Sequence, residues 1–312
     1  MKIGLDIMGG DFAPKSVVLG AIEAQKALSA DQVLVLIGDQ DQAQSIIREA
    51  GGEVDQFQYV HTTETISMGE HPTKAITQKP NASISLGFQL LKEGKIDSFS
   101  SAGNTGAMLV GAMFSVKSVQ GITRPAIASN IPKESSGFGI LLDVGANADC
   151  KPETLVQFAV LGSLFAEHIY NIPNPKIGLL NLGEEEEKGN NLTHGTYPLL
   201  KEKSGINFIG NIEGRDLFND KADVMVCDGF VGNIVLKLAE SFHDLVERRN
   251  YKNEFFDRFN YEQYGGSPIL GVNAPVIIGH GISSPEAIKN MILLSRLMIE
   301  SKIIDKIKAA FN

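Results

Sequence analysis

The sequence predicts an α/β fold, a doubly wound and mostly parallel sheet with helices on both faces. Three observations predict it. Short apolar runs of strand composition recur along the chain, each followed by a glycine-bearing turn and then by apolar residues at helical spacing. Glycine is frequent, 32 of 312 residues, with no collagen-like repeat, as many tight strand-to-helix turns require. Hydrophobic residues make up 43% of the chain, enough to bury one large core, and residues 1–312 are read as a single α/β domain.

The elements follow in order. Lys2 to Ile7 reads as a buried strand ending in Met8-Gly9-Gly10-Asp11, and Pro14 opens a helix carrying Val17, Val18, Ala21, Ala24 and Leu28. Val33 to Ile37 is a second strand, Gln42 to Ala50 its helix, and Phe57 to His61 a third strand. Thr62 to Pro80 is a polar connection with a short helix around Thr73 to Gln78; Asn81 then caps a helix from Ala82 to Lys92 that Gly94 ends. Ile96 to Ser100 is a strand, and Ala107 to Val116 a helix-compatible run. Strands are also expected at Pro125 to Asn130, Phe138 to Leu142, Lys176 to Leu180, Val224 to Cys227 and Val276 to Ile278. Pro152 opens a helix to about Tyr170, another helix follows Asn233, and Pro285 opens a final one to about Ala310.

Composition excludes several classes. A formal charge of −9 argues against nonspecific nucleic-acid binding, which needs a basic face. The two cysteines, Cys150 and Cys227, make no C-x-x-C pair, so neither a disulfide framework nor a zinc site is indicated and a cytoplasmic location is expected. The N-terminus lacks a signal-peptide core, and no apolar run reaches the roughly 18 residues of a membrane span. G-x-G-x-x-G, the P-loop and G-x-S-x-G are all absent, which removes the commonest dinucleotide, nucleotide and serine-nucleophile readings.

What remains is a series of glycine- and carboxylate-rich turns at strand C-terminal ends, where open α/β sheets bind ligands. They are Gly9-Gly10-Asp11, Gly103-Asn104-Thr105-Gly106, Asp143 to Asn147, Gly183 to Gly189, Asp228 to Asn233 and His280 to Ser284, and one crevice is expected to collect them. Ser101 to Ala107 is the most telling. Lying between a strand and a helix start, it offers exposed amides at the positive end of a helix dipole, with Gly103 and Gly106 admitting close approach. Phosphate is the expected guest; a turn that binds nothing is the plain alternative.

Five segments carry a family resemblance: Asp6-Ile7-Met8-Gly9-Gly10-Asp11, Ser101-Ala102-Gly103-Asn104-Thr105-Gly106-Ala107, Asp143-Val144-Gly145-Ala146-Asn147, Asp228-Gly229-Phe230-Val231-Gly232-Asn233 and Tyr264-Gly265-Gly266-Ser267-Pro268. In this order, across nearly the whole chain, they resemble the bacterial phosphate acyltransferases that make acyl phosphate from acyl carrier protein. The resemblance implies transfer of a long-chain acyl group from the carrier's thioester to inorganic phosphate for phospholipid synthesis. It also implies a homodimer, and a fold like those of isopropylmalate dehydrogenases and phosphotransacetylases.

The residues agree with that chemistry. Phosphate is already a nucleophile at neutral pH, so positioning and electrostatics suffice, and no cofactor or metal is expected. The amides of Gly103 to Gly106, with Ser101, Asn104 and Thr105, are assigned to phosphate. Lys188 and His280 are assigned to charge neutralisation or the oxyanion. Asp11, Asp143, Asn147, Asp228 and Asn233 are assigned to orienting these groups, and Gly9, Gly10 and Ser283 to the substrate-binding turns. Lys79 reaches the anion from a helix start or is a solvated lysine. Cys227, in an apolar strand, reads as a buried inert thiol rather than an acyl carrier, and the glutamates 184 to 187 as a solvated face rather than a metal site.

Three rivals stand beside this reading: a phosphotransacetylase acting on a coenzyme A thioester, a metal-dependent dehydrogenase of related fold, and a non-catalytic sensor of acyl carrier protein. Residues 237–264 depart from the family by being short, and are expected to form a helical protrusion. There Leu238, Phe242 and Leu245 recur at helical spacing, and Arg248, Arg249, Lys252 and Arg258 interleave with Phe255, Phe256 and Phe259. This segment reads either as a basic, aromatic surface for an acidic carrier protein or anionic lipid at the membrane, or as a dimer-interface helix pair.

Overall fold

Strand, turn and helix alternate as the sequence predicts in a computed structural model, which describes residues 1–311 except 252, with the backbone alone at 261 and 262. The chain divides into two compact units, Met1–Ser118 with Tyr261–Glu300, and Val119–Asn260 with Ser301–Asn312. The first opens with β1 (Lys2–Asp6), α1 (Lys15–Gln25), β2 (Val33–Gly38), α2 (Gln40–Glu49) and β3 (Phe57–His61). It continues with α3 (Pro72–Gln78), α4 (Ser83–Lys92), β4 (Ser98–Ser101) and α5 (Thr105–Gly111), which runs on into a π-helical turn at Ala112–Val116.

The second unit contains β5 (Ala126–Pro132), β6 (Phe138–Leu142), α6 (Pro152–Ile169), β7 (Lys176–Leu180) and α7 (Asn191–Glu202), then β8 (Asn207–Ile212), β9 (Val224–Val226), α8 (Gly229–Arg248) and α9 (Glu254–Asp257). The chain then returns to the first unit for β10 (Ser267–Leu270), β11 (Val276–Ile278) and α10 (Pro285–Glu300), and ends in the second with α11 (Ile303–Phe311).

In the first unit the strand order is β3-β2-β1-β4-β11-β10. All pairs are parallel except β10 with β11. β1, between two parallel neighbours, is buried on both faces from Ile3 to Asp6, with Ile3 and Leu5 on one face and Gly4 and Asp6 on the other. In the second unit the order is β5-β6-β9-β7-β8, parallel apart from β5 with β6. Parallel strands share a direction, so within each unit their carboxyl ends and the turns that follow lie along one edge.

Several elements differ from the sequence reading. α7 was not expected because Pro198 lies inside it, and β8 because its half-buried Asn207-Phe208-Ile209-Gly210 lacks a strong strand pattern. β10 was missed because it is four residues long and contains Pro268. The final helix is two: Lys302 adopts φ 53, and α11 turns to bury Ile303 and Ile307 while packing on α6. Asn81 does not cap α4; the cap position is Ala82, without a side-chain bond, and the Asn81 carbonyl accepts instead from the Thr62 hydroxyl at 2.6 Å.

Residues 237–264 are helical, through α8, α9 and a 3-10 turn at Tyr261–Tyr264. Phe242 packs edge-to-face on Phe218 and Phe259, and Phe255 on Phe256 and Phe259, so these rings form a cluster in which Phe259 is buried and the others are half-buried. Leu238 and Leu245, expected to pack alongside Phe242, are instead exposed. Arg258 donates to the carbonyls of Lys133, at 2.7 Å, and Gly137. Arg248 donates to the Asp244 carbonyl at 3.2 Å, Arg249 is exposed at the end of α8, and Lys252 lies outside the described residues.

Candidate active site

The carboxyl end of β1 sets the first unit's half of the candidate residues. Asp6 is wholly buried, and its carboxylate accepts from the Met8 N–H at 2.9 Å and from the Ser101 hydroxyl at 2.6 Å. Ser101 in turn accepts from the Gly103 N–H at 2.9 Å. Burial pushes the Asp6 carboxyl above its ordinary range, against the pull of these donors. Gly9 lies against all three groups: a Cβ there would stand 2.5 Å from Asp6 Oδ2, 2.6 Å from Ser101 Oγ and 2.7 Å from Gly103 N. Only glycine fits, and the next residue, Gly10, uses φ 107 to turn the chain.

Asn104 caps α5. Its Oδ1 accepts from the Ala107 N–H at 2.9 Å, and its amide nitrogen lies 3.0–3.1 Å from the carbonyls of Ser67, Met68 and Glu70. The amide side chain, assigned to phosphate from sequence, is therefore engaged by the protein itself. The Gly103 amide is also taken, by Ser101. The first helical amides, Thr105 and Gly106, are those that a helix start cannot pair internally, and Thr105 is exposed.

Lys79 is drawn into the same segment. Its ammonium donates to the Thr65 carbonyl at 3.0 Å and to Glu70 at 2.7 Å, and Glu70 also accepts from the Ser67 N–H at 2.7 Å. Lys79 and Asn104 thus clamp residues 65–70 from two sides. After β11, the Asp11 N–H donates to the Gly281 carbonyl at 2.7 Å, and the buried Ser283 hydroxyl donates to the His280 carbonyl at 2.5 Å. The Ser16 hydroxyl donates to the Ser283 carbonyl at 2.8 Å, so Ser283 anchors the turn. His280 is half-buried with Nδ1 facing the Ile282 N–H at 3.4 Å, which in the neutral ring leaves the proton on Nε2.

In the second unit Asp143 is the centre of a closed knot. Its two oxygens accept from the N–H groups of Ile127 at 2.9 Å, Ala146 at 3.1 Å and Asn147 at 2.6 Å, and from the Asn147 side chain at 2.9 Å. Burial raises its pKa, yet four donors and no acceptor require the carboxylate form. Asn147 also donates to the Pro125 carbonyl at 2.8 Å and accepts from the Gly229 N–H at 2.7 Å. Asn233 donates to the Val144 carbonyl at 3.1 Å, and Asp228 caps α8 through the N–H groups of Phe230 and Val231. These four residues tie the loop after β6 to the start of α8.

Lys188 is different. It lies on the exposed loop after β7, where Asn181 donates to its carbonyl at 2.9 Å and Gly189 uses φ 119. Among the described residues no hydrogen bond or ion pair engages its ammonium. Of the neighbouring carboxylates, Glu184 pairs with Lys221 at 2.7 Å and Glu186 with Lys201 at 2.9 Å.

Residues 1–306 match the profile of a family described as fatty acid synthesis protein. The chain belongs to that family. A phosphate acyltransferase of Dictyoglomus turgidum is 42% identical over 332 residues, spanning 100% of this chain and 98% of that protein. One from Pelotomaculum thermopropionicum is 44% identical over 333 residues, spanning 100% of this chain and 95% of that one. Among solved structures, a phosphotransacetylase from Streptococcus pyogenes superposes with a TM-score of 0.69 at 18% identity, over 96% of this chain and 94% of that one. EutD phosphotransacetylase from Staphylococcus aureus gives 0.66 at 17% identity, over the same 96% and 94%. At these identities the likeness is one of fold, and it is the doubly wound, phosphotransacetylase-like fold that the sequence predicts.

Within this family member, the thiols are poor nucleophiles. Cys227 is buried and its pKa is driven far up by desolvation; Cys150 is pushed up to about 11, chiefly by burial and then by the Asp143 and Asp228 charges. Sequence reasoning missed two groups. Asp6 was quoted inside a motif without a role, although an acid at the end of an apolar strand was a usable signal. The clamp on residues 65–70 had none, because Asn104 reaches it across more than 30 residues of sequence.

Proposed function

We propose that the protein is a phosphate acyltransferase that moves a long-chain acyl group from the thioester of acyl carrier protein to inorganic phosphate. The observation that carries the reading is full-length kinship at over 40% identity with proteins of that name. A phosphate oxygen attacks the thioester carbonyl carbon, a C–O bond forms and the C–S bond breaks. The carrier leaves as a thiolate that takes up a proton, and acyl phosphate goes on to phospholipid synthesis. In the first unit the first-turn amides of Thr105 and Gly106 suit a phosphate oxygen and His280 is assigned to the negative charge that grows in the transition state; in the second unit the cation Lys188 is assigned to the same charge. In the first unit Asn104 and Lys79 act by holding residues 65–70, and in the second Asp143, Asn147, Asp228 and Asn233 act by tying the loop after β6 to the start of α8.

The reaction is proposed to take place in the cytoplasm, and among the described residues no helix is long and apolar enough to cross a membrane. A homodimer is part of the reading. Phe230, Ile234, Leu238 and Leu245 line one exposed face of α8, a stripe that suits a second copy better than water. Contact with anionic lipid would fall to Arg248 and Arg249.

The test is hydroxylamine trapping of acyl phosphate from palmitoyl acyl carrier protein, with palmitoyl coenzyme A in parallel. Faster turnover of the carrier substrate is expected. Preference for coenzyme A would move the protein to the phosphotransacetylase type, and trapping from neither would leave a carrier-binding protein.

A further inference from the structure

Three large apolar side chains stand exposed on the edge of the first unit that carries the Ser101–Gly106 turn: Phe12 at 58%, Met68 at 49% and Ile282 at 44%. They come from the end of β1, the connection after β3 and the end of β11, three segments that adjoin one another. Asp11 donates its N–H to the Gly281 carbonyl at 2.7 Å, which sets their neighbours Phe12 and Ile282 on adjoining turns. The terminal methyl of Met68 lies 3.1 Å from where a Cβ on Gly281 would stand. Asn104, the cap of α5, holds the Met68 carbonyl at 3.0 Å, so the patch adjoins the helix start whose amides are unpaired.

Exposed apolar groups in one place are costly in water and mark a binding surface when they adjoin a polar site. We infer that Phe12, Met68 and Ile282 form the seat of the substrate's acyl chain, with the thioester end directed to the turn at Asn104–Gly106. The inference rests on the acyl-transfer reading and adds to it the place where the hydrocarbon lies. A hydrocarbon chain is the occupant because all three side chains are large and apolar and the segment that carries Met68 is tied to the turn through Asn104, while the Asp11 carboxylate beside Gly281 marks a polar border. Clamping by Asn104 and Lys79 then has a second consequence. It fixes Met68, and with it the distance from hydrocarbon to reacting carbonyl.

Two measurements test this on the full chain. In the first, Phe12→Ser, Met68→Ser, Ile282→Ser and the triple variant are assayed with palmitoyl and octanoyl acyl carrier protein. The ratio of kcat/KM for the longer over the shorter chain is expected to fall about tenfold in the triple variant, through KM. An unchanged ratio, whether or not both rates fall, overturns the inference. In the second, a palmitoyl pantetheine thioester bearing a diazirine at mid-chain is photolysed on the wild-type protein. Adducts on peptides carrying Phe12, Met68 or Ile282, suppressed by excess palmitoyl pantetheine, are expected. Adducts confined to other peptides, or none that competition suppresses, overturn it. Labelling at these peptides without phosphate-dependent turnover would sink the transferase reading while leaving the acyl seat standing.

Discussion

The Ser101 hydroxyl donates to Asp6 at 2.6 Å while accepting from the Gly103 N–H, so one side chain joins the end of β1 to the turn after β4. This bond engages the Gly103 amide within the protein, so the phosphate role proposed for this turn falls to the first helical amides, Thr105 and Gly106. Ser101→Ala strands the Gly103 N–H in a buried position, and a loss of about 1–3 kcal/mol is expected in urea unfolding. Turnover should fall with it. Full retention of both would show that the turn keeps its shape without the hydroxyl.

Asp6 also makes stability depend on pH. Burial holds its pKa above the ordinary range, so the folded chain keeps this proton to a higher pH than the unfolded chain does. Its contribution is fully present below the unfolded value, near pH 4, and is lost as pH rises through the folded value. Wild type should therefore lose stability relative to Asp6→Asn between about pH 4 and 7. Paired urea unfolding across that range checks it; a difference that moves in favour of wild type as pH rises contradicts it.

Asn104 holds a helix cap and a loop clamp in one side chain. Asn104→Asp keeps the cap oxygen but removes the donor to Ser67, Met68 and Glu70, whereas Asn104→Ala loses both. The aspartate variant should be the less stable, because it sets a buried carboxylate oxygen against three carbonyl oxygens, while the alanine variant should lose about 1 kcal/mol with the cap. Both should lose activity, because both release residues 65–70. An aspartate variant with wild-type kinetics would separate the clamp from catalysis.

Asp143→Asn is close to isosteric, yet it should be severe. Four donors face the carboxylate, and an amide presents its own donors to some of them. A cost of about 1–3 kcal/mol is expected by thermal or urea unfolding, as for stranding a buried donor. A variant as stable as wild type would mean that the knot relaxes without its charge.

Lys188→Ala should show the opposite profile. Among the described residues the exposed ammonium has no hydrogen-bond or ion-pair partner, so stability should change by no more than about 0.5 kcal/mol while the kinetics respond. Unaltered kcat and KM for phosphate would remove Lys188 from the reaction.

The parts of this fold that were readable in the sequence are those where local chemistry and tertiary packing agree. β1 and β2 are apolar because they are buried on both faces, and Gly94 ends α4 because its φ is 67. α7 was hidden because Pro198 signals a break that its packing on α6 overrides. In the candidate site, glycine-bearing turns marked the strand ends, but sequence could not tell donors that face a ligand from donors used internally. Gly103 and Asn104 belong to the second kind because of Ser101 and of the carbonyls of residues 67–70, partners that only the folded chain brings close.

The most direct measurement is release of free carrier protein from palmitoyl acyl carrier protein by the purified chain, with and without inorganic phosphate and with no nicotinamide or metal added. Release that requires phosphate and saturates with it is the expected result. Release at the same rate without phosphate, or none at any phosphate concentration, would contradict the account.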